Sequence, residues 1–169
     1  MSIENVKSHF RIYNREQDVQ EFTTSSATVE QAAETIGVIP ARIAKTLSFR
    51  GEGDNAILVV AAGDAKIDNK KFRETFGFKA RMLAPDEVLE QTGHEIGGVC
   101  PFGLVRELDV FLDVSMKRFD TLFPACGSTN SAIELTCEEL AQYSGGKVWV
   151  DVCKGWEEIT LQMGCEHTA

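Results

Sequence analysis

An uninterrupted apolar run at residues 56–62 constrains the fold of this chain more than any other feature. It reads Ala-Ile-Leu-Val-Val-Ala-Ala, which is short for a helix and has none of the alternation of a strand with one face in water. Residues 44–50 also have strand character, and the glycine-containing stretch 51–55 between the two suits a hairpin. The run therefore predicts a central strand that is covered on both faces, with 44–50 as its neighbour.

Helix start and stop signals surround this hairpin. Thr28 and Thr136 each begin a capping box, with Gln31 and Glu139 three residues later. We predict five helices, bounded by 2–13, 28–37, 68–77, 85–93 and 136–145, and further strands at 79–83, 108–113, 121–125, 131–135 and 147–153. Because strands and helices intermix without a regular βαβ period, we expect an α/β (α+β) fold around a mixed, curved sheet, in a single domain spanning 1–169.

Composition limits the classes of function. The net charge of −9 argues against strong non-specific binding to nucleic acid, DNA included, although a weak local contact with one end of an RNA stays open. Residues 66–81 are locally basic, which we interpret as a solvated helix face, with a phosphate contact as the alternative. No apolar run of about 18 residues and no signal-peptide pattern is present, so we expect a cytoplasmic protein without membrane contact.

The cysteines and histidines do not indicate a metal site. The five cysteines are an odd number without C-x-x-C spacing, and the three histidines are scattered. We therefore expect buried thiols rather than disulfides or zinc ligands, and no metal or cofactor.

Lys45 is the first candidate functional residue. In a strand over 44–49 it shares a face with Leu47 and Phe49, whereas Thr46 points the other way. An ammonium group on an apolar face is costly unless it reaches water, an anion or a ligand.

The glycine-rich loop 97–103 is the second candidate. Gly97 and Gly98 allow a close backbone approach, and Pro101 fixes the turn that follows. Such a loop can present N–H groups to an oxyanion, although composition alone slightly favours a plain surface turn. A Cys100–His94 dyad is a weak alternative.

These residues together resemble the YbaK/ProX family, the stand-alone relatives of the editing domain inserted in bacterial prolyl-tRNA synthetase. The resemblance covers roughly residues 20–152. It rests on Ala-Lys45-Thr46-Leu, on Gly63-Asp64-x-x-Ile67-Asp, on Ala84-Pro-Asp-Glu-Val and on Thr92-Gly93-x-x-x-Gly97-Gly98-Val-Cys-Pro101-Phe-Gly103, with Ala132-Ile-Glu-Leu-Thr136 further along. It implies a partly barrel-like sheet with flanking helices, and hydrolysis of mischarged aminoacyl-tRNA.

The resemblance also implies roles for individual residues. Lys45 matches the essential lysine of the family, and Gly97 to Pro101 match its G-x-x-x-P loop. N–H groups of Gly98, Val99 and Cys100 could then stabilise the oxyanion of the ester. We favour a role for Lys45 as a cation that positions the 3′ end, rather than as a nucleophile. The attacking group stays open between water, a ribose hydroxyl and a thiol on the substrate.

Specificity is expected from a different region. The Ser-Gly-Gly-x-Arg-Gly run of cysteine-specific members and the histidine of alanine-specific members are absent from residues 124–131. We expect Thr46 to shape the pocket, and a small or hydroxylated amino acid (Ala, Ser, Thr or Cys) to fit it. The remaining candidate substrate-binding residues are Thr28, Gly97, Pro101, Gly127, Ser128 and Thr129.

Partners and alternatives follow from the same resemblance. The expected partner is the 3′ end of aminoacyl-tRNA, with prolyl-tRNA synthetase or an elongation factor as the protein that presents it. The main alternative is a non-catalytic module that binds a tRNA end or a nucleotide, or regulates a synthetase. A small-molecule hydrolase using Cys100 is a weaker alternative.

Overall fold

The structure, a computed structural model, describes residues 2–26, 28–146 and 148–156. Its helices are α1 (Ser2–Arg11), α2 (Val29–Ile36), α3 (Asn69–Phe76), α4 (Pro85–Thr92) and α5 (Cys137–Ser144). Its strands are β1 (Gln20–Glu21), β2 (Ile43–Arg50), β3 (Ala56–Ala62), β4 (Lys66–Ile67), β5 (Asp109–Asp113), β6 (Thr121–Pro124), β7 (Ser131–Ala132), β8 (Leu135–Thr136), β9 (Val148–Val150) and β10 (Cys153–Lys154).

The β2–β3 hairpin lies at the centre of a six-stranded mixed sheet, in the order β8-β6-β2-β3-β5-β9. The hairpin is antiparallel from the pair Ala44–Ala62 to the pair Arg50–Ala56, and β3 pairs with β5 in parallel. Every residue of β3 is buried. The prediction of a central strand covered on both faces is confirmed.

Helices cover the sheet through the apolar positions that predicted them. Phe72 of α3 packs on Phe49 of β2, with ring centroids 4.9 Å apart. Residues of α2 pack on Ile43 and Phe123, and Phe10 of α1 lies 4.7 Å from Phe102 between ring centroids. The sheet curls into a half-barrel with flanking helices, as predicted.

Three predicted strands differ from the structure. In 79–83 only Met82 forms a bridge, to Phe49. The stretch 131–135 divides into β7, which pairs with the unpredicted β1, and β8, which pairs with β6. The stretch 147–153 divides into β9 and β10, because the Asp113 carboxylate accepts a hydrogen bond from the Val152 N–H (2.9 Å) between them.

The chain ends differ from prediction more modestly. Helix α1 ends at Arg11 rather than at residue 13. After residue 153 the pattern of Trp156, Ile159, Leu161 and Met163 predicts either an edge strand or a docked short helix, and the last three of these residues lie outside the described part of the chain. Strand β10 itself pairs with β4. None of the described helices has the length and apolar character that crossing a bilayer requires.

Candidate active site

Strand β2 has an open stretch on one edge, at Lys45, Thr46 and Leu47. Before it, the ladder with β6 ends at the pair Ala44–Pro124. After it, the Ser48 carbonyl accepts from the Leu83 N–H (3.1 Å), and the Arg50 N–H donates to the Arg81 carbonyl (2.8 Å). Because peptide groups alternate in direction along a strand, that of Thr46 points into the gap between these two contacts.

A cavity of about 260 Å³ lies at this open stretch. Ile43, Lys45, Leu47 and Phe49 share one face of β2. Helix α2 packs on Ile43 and helix α3 packs on Phe49, which leaves Lys45 and Leu47 between the two helices. The cavity is therefore a consequence of where the strand pairing and the helix packing both stop.

Lys45 enters the cavity with part of its hydrogen-bonding capacity already in use. Its Nζ donates to the carbonyl oxygens of Gly63 (3.3 Å) and Ala65. An ammonium has three protons, so one is left for a ligand. Burial lowers the pKa of Lys45, while the carboxylates of Asp64 and Glu30 oppose that shift.

The loop that receives Lys45 is held in place from both sides. Asp64 lies between Gly63 and Ala65 in the sequence. Its carboxylate forms a buried ion pair with the Arg118 guanidinium through two hydrogen bonds. A Cβ at Gly63 would lie 2.1 Å from the Pro40 carbonyl oxygen, so only glycine fits this approach. The position of the ammonium group is thus set by the fold.

The glycine loop contributes less to the cavity than predicted. Gly97 and Val99 line the cavity, and no hydrogen bond of the Val99 N–H is found in the described part of the chain. Gly98 is a correction: it is buried, and its N–H donates to the Glu95 carbonyl (3.0 Å) in a turn. Of the three predicted oxyanion donors, Val99 is the one at the cavity wall.

Cys100 is also a correction to the predicted catalytic set. The residue is fully buried and does not line the cavity, and burial raises the pKa of its thiol to about 12. The structure therefore places neither the thiol nor the peptide group of Cys100 at the cavity wall.

His94 cannot act as a base for Cys100. Its Nε2 lies 2.8 Å from the Phe102 carbonyl oxygen, which only accepts, so Nε2 carries the proton. The basic nitrogen is then Nδ1, which contacts the Ser2 hydroxyl rather than the Cys100 sulfur. Burial also lowers the pKa of His94, so the ring is neutral and the cluster is structural.

The loop 127–129 forms another wall of the cavity. Ser128 and Thr129 line it, and the Thr129 hydroxyl is hydrogen-bonded to Ser25. Gly127 lies behind them, where its N–H donates to the Gly98 carbonyl (3.0 Å). Pro101 lines a separate groove. Pro101 and Gly127 were both predicted to bind substrate, but neither lies at the wall of this cavity.

Thr28 and Thr46 both line the cavity but differ in how their hydroxyl groups are used. The Thr28 Oγ1 caps helix α2 and accepts from the Gln31 N–H (3.1 Å). The Thr46 Oγ1 is buried and has no hydrogen-bond partner among the described residues.

Comparisons with known proteins identify the family. Residues 23–143 match the profile of the aminoacyl-tRNA editing domain. This chain belongs to the aminoacyl-tRNA editing domain family. The resemblance in the sequence to the YbaK/ProX proteins and to synthetase editing domains is thereby confirmed.

Relatives of this editing domain include full-length matches. YwhH of Bacillus subtilis, an uncharacterized protein, is 74% identical over 93% of this chain and 100% of its own length. EbsC of Enterococcus faecalis, named as a candidate Cys-tRNA(Pro)/Cys-tRNA(Cys) deacylase, is 26% identical over 71% of this chain and 74% of its own. A crystal structure described as a candidate trans-editing enzyme for prolyl tRNA synthetase superposes with a TM-score of 0.82 at 29% identity, covering 91% and 98% of the two chains.

Several wall residues of this editing domain had no signal in the sequence. Met82 and Ile96 are large apolar side chains that are 61% and 57% exposed at the cavity. Exposure of this kind is visible only once the fold is known, because in the sequence both look like core residues. Further wall residues that sequence reasoning missed are Phe22, Ser26, Val29, Ala32, Leu83 and Ser131.

The described residues do not converge on a metal. No group of three or more His, Cys, Asp or Glu side chains in 2–26, 28–146 and 148–156 could hold an ion. Lys45 and the hydroxyl groups of Thr28, Ser128 and Thr129 are among the polar groups that the cavity presents to a ligand.

Proposed function

We propose that this protein hydrolyses the ester of a mischarged aminoacyl-tRNA in trans, with the amino acid in the cavity beside Lys45. The observation that carries the proposal is the open stretch of β2, where a fixed ammonium with one unused proton faces the cavity. Family membership and the activities for which EbsC and the superposed structure are named support the same function.

The cavity size supports a small substrate group. At about 260 Å³ it is smaller than the roughly 300–1,000 Å³ of sites for drug-sized ligands. It therefore suits the amino acid, while the nucleotide stays outside. Hydroxyl groups of Thr28, Ser128 and Thr129 on its walls favour Ala, Ser, Thr or Cys, with proline tRNA as the carrier.

Ester hydrolysis needs stabilisation of the negative charge that develops on the carbonyl oxygen. The Val99 N–H, the Thr46 N–H and the remaining proton of Lys45 are among the donors at the cavity. The two carbonyl oxygens that accept from Lys45 favour the ammonium form, because hydrogen bonds from a charged donor are stronger than those from a neutral amine. Lys45 is thus better suited to position and polarise the ester than to attack it.

The test is a deacylation screen over proline tRNA charged with Ala, Ser, Thr or Cys. We expect release of at least one of these amino acids, and a loss on the order of 100-fold in Lys45→Ala. Cys100→Ala is the control, since its thiol is outside the cavity. Full activity of Lys45→Ala across the panel would remove the site assignment, and an inactive but folded Cys100→Ala would instead support a thiol hydrolase.

A non-catalytic binding module is the second candidate. Two observations favour it: the Gly98 N–H already donates to the Glu95 carbonyl, and Cys100 is buried. Of the three predicted backbone donors in the glycine loop, this leaves the Val99 N–H at the cavity wall. Binding of charged tRNA without release of any amino acid over a long incubation would support it.

A further inference from the structure

A basic groove lies on the outer side of α3, separate from the Lys45 cavity. It has a volume of about 760 Å³ and is lined by Asn69, Lys70, Arg73, Glu74, Lys79 and Ala80. Its three cations are exposed, on a chain whose net charge is −9.

These cations have no carboxylate partners in the part of the chain that the structure describes. Neighbouring Lys71 pairs with Asp151 (3.1 Å), but Lys70, Arg73 and Lys79 form no ion pair there. Glu74 also lines the groove, so its three cations outnumber one carboxylate and leave a local positive charge on an acidic protein.

Two further exposed lysines lie on the strand before α3 and on β10. Lys66 and Lys154 are exposed and lie directly opposite each other in the β4–β10 ladder. Like charges at directly opposed positions are destabilising, so the arrangement favours a bound polyanion. The pKa of the Asp68 carboxyl group is lowered mainly because it accepts from the Lys71 and Lys70 N–H groups as the cap of α3, and the charge of nearby Lys154 adds to that shift.

The groove is joined to the cavity by a short piece of chain. Lys79 and Ala80 line the groove, and Met82 and Leu83 line the cavity. Three residues of extended chain span at most about 10 Å. Moreover, α3 packs on Phe49, which lies on the same face of β2 as Lys45.

We propose that this groove binds the phosphodiester backbone of the single-stranded RNA 3′ end whose terminal ester occupies the cavity. This inference rests on the proposed function, and it names Lys70, Arg73 and Lys79 as the phosphate contacts. Because cations contact phosphates without reading bases, the groove holds the RNA irrespective of sequence. Specificity then remains with the cavity.

The test is binding of a fluorescent, uncharged RNA oligonucleotide with the tRNA 3′ sequence, measured by anisotropy over a range of salt concentrations. We expect the variant K70Q/R73Q/K79Q to bind about tenfold more weakly at low salt, with a slope of log K against log salt that is shallower by about 2. The matched control R11Q/R106Q/K117Q makes the same change in net charge away from the groove and should bind like the wild type.

A second ligand isolates the phosphates. With uncharged methylphosphonate linkages at the 3′ end, wild type and K70Q/R73Q/K79Q should bind equally. Equal binding of the two proteins to the natural oligonucleotide, or equal weakening by the control variant, would overturn the groove. Because the ligand carries no ester, binding as expected without any deacylation of charged tRNA would contradict the proposed function alone.

Discussion

Lys45 is half-buried and His94 is fully buried, and both titratable side chains lie next to glycine-containing loops, yet they differ in how many of their hydrogen-bonding groups are left without a partner among the described residues. Both ring nitrogens of His94 are engaged, one by Phe102 and one by Ser2, and His94 is not among the residues that line the Lys45 cavity. Lys45 makes two hydrogen bonds and has one proton that faces a cavity. The comparison teaches that spare hydrogen-bonding capacity at a cavity, rather than burial of a titratable group, marks the candidate site.

The loop 94–102, which contains His94, packs on the cavity-wall loop 127–129 at Gly98. The largest loss of stability should come from a substitution at this contact. A Cβ there would lie 2.6 Å from the Ser128 nitrogen, which is backbone and cannot move alone. We expect Gly98→Ala to lower the free energy of unfolding by about 3 kcal/mol, measured by urea denaturation.

Gly53→Ala is the matched control for this substitution. Gly53 has a positive φ of 81° but no atom within 4 Å of an added Cβ, so only backbone strain of about 1 kcal/mol is expected. Equal effects of the two substitutions would show that the loops 94–102 and 127–129 are not closely packed.

The buried, hydrogen-bonded state of His94 can be tested through the loss of stability at acidic pH. Burial lowers its pKa in the folded state, so between that value and about 6.5 the unfolded chain binds more protons. Stability should therefore be lost as the pH falls below about 6.5, with a slope of at most about 1.4 kcal/mol per pH unit. Urea unfolding over pH 4 to 7 (roughly the range in which histidine titrates) should be flatter in His94→Gln, and an unchanged slope would contradict a neutral, closed His94.

The smallest change in stability is expected from a substitution at Thr46, in the open stretch of β2. Because its buried hydroxyl has no partner among the described residues, Thr46→Val should leave stability unchanged or raise it by up to about 1 kcal/mol. Thr28→Val, which removes a helix cap, should instead lower stability by about 1 kcal/mol. Thermal melts measure both, and clear destabilisation by Thr46→Val would mean that its hydroxyl has a structural role.

Local sequence signals predicted much of the fold. The apolar run of β3 and the capping boxes at Thr28 and Thr136 correspond to elements in the structure, since each depends on neighbouring residues only. The resemblance to a family added the half-barrel. Strands of two residues, such as β1 and β4, lack a periodic signal and exist because a distant partner strand is present.

The site was predictable only in part, for a physical reason. Lys45 was indicated by its place on an apolar face, and the structure places it at the cavity. Whether a loop N–H is free depends on tertiary contacts, so the engagement of Gly98 by Glu95 had no signal in the glycine pattern. The gap in the pairing of β2 likewise had no local signal, because it depends on where β6 and residues 81–83 contact this strand.

The rate ratio of wild type to Lys45→Met, in single-turnover deacylation across pH 6 to 10.5 (about the range below the ordinary lysine pKa), tests the central claim most directly. The spontaneous hydrolysis rate of the ester, measured without protein at each pH, is subtracted from both rates before the ratio is taken. If the charged ammonium positions the ester, the ratio should be on the order of 100 near neutral pH and fall as the pH rises through the lowered pKa of Lys45. A ratio that rises with pH over the same range would identify the neutral amine as the active form and contradict the account.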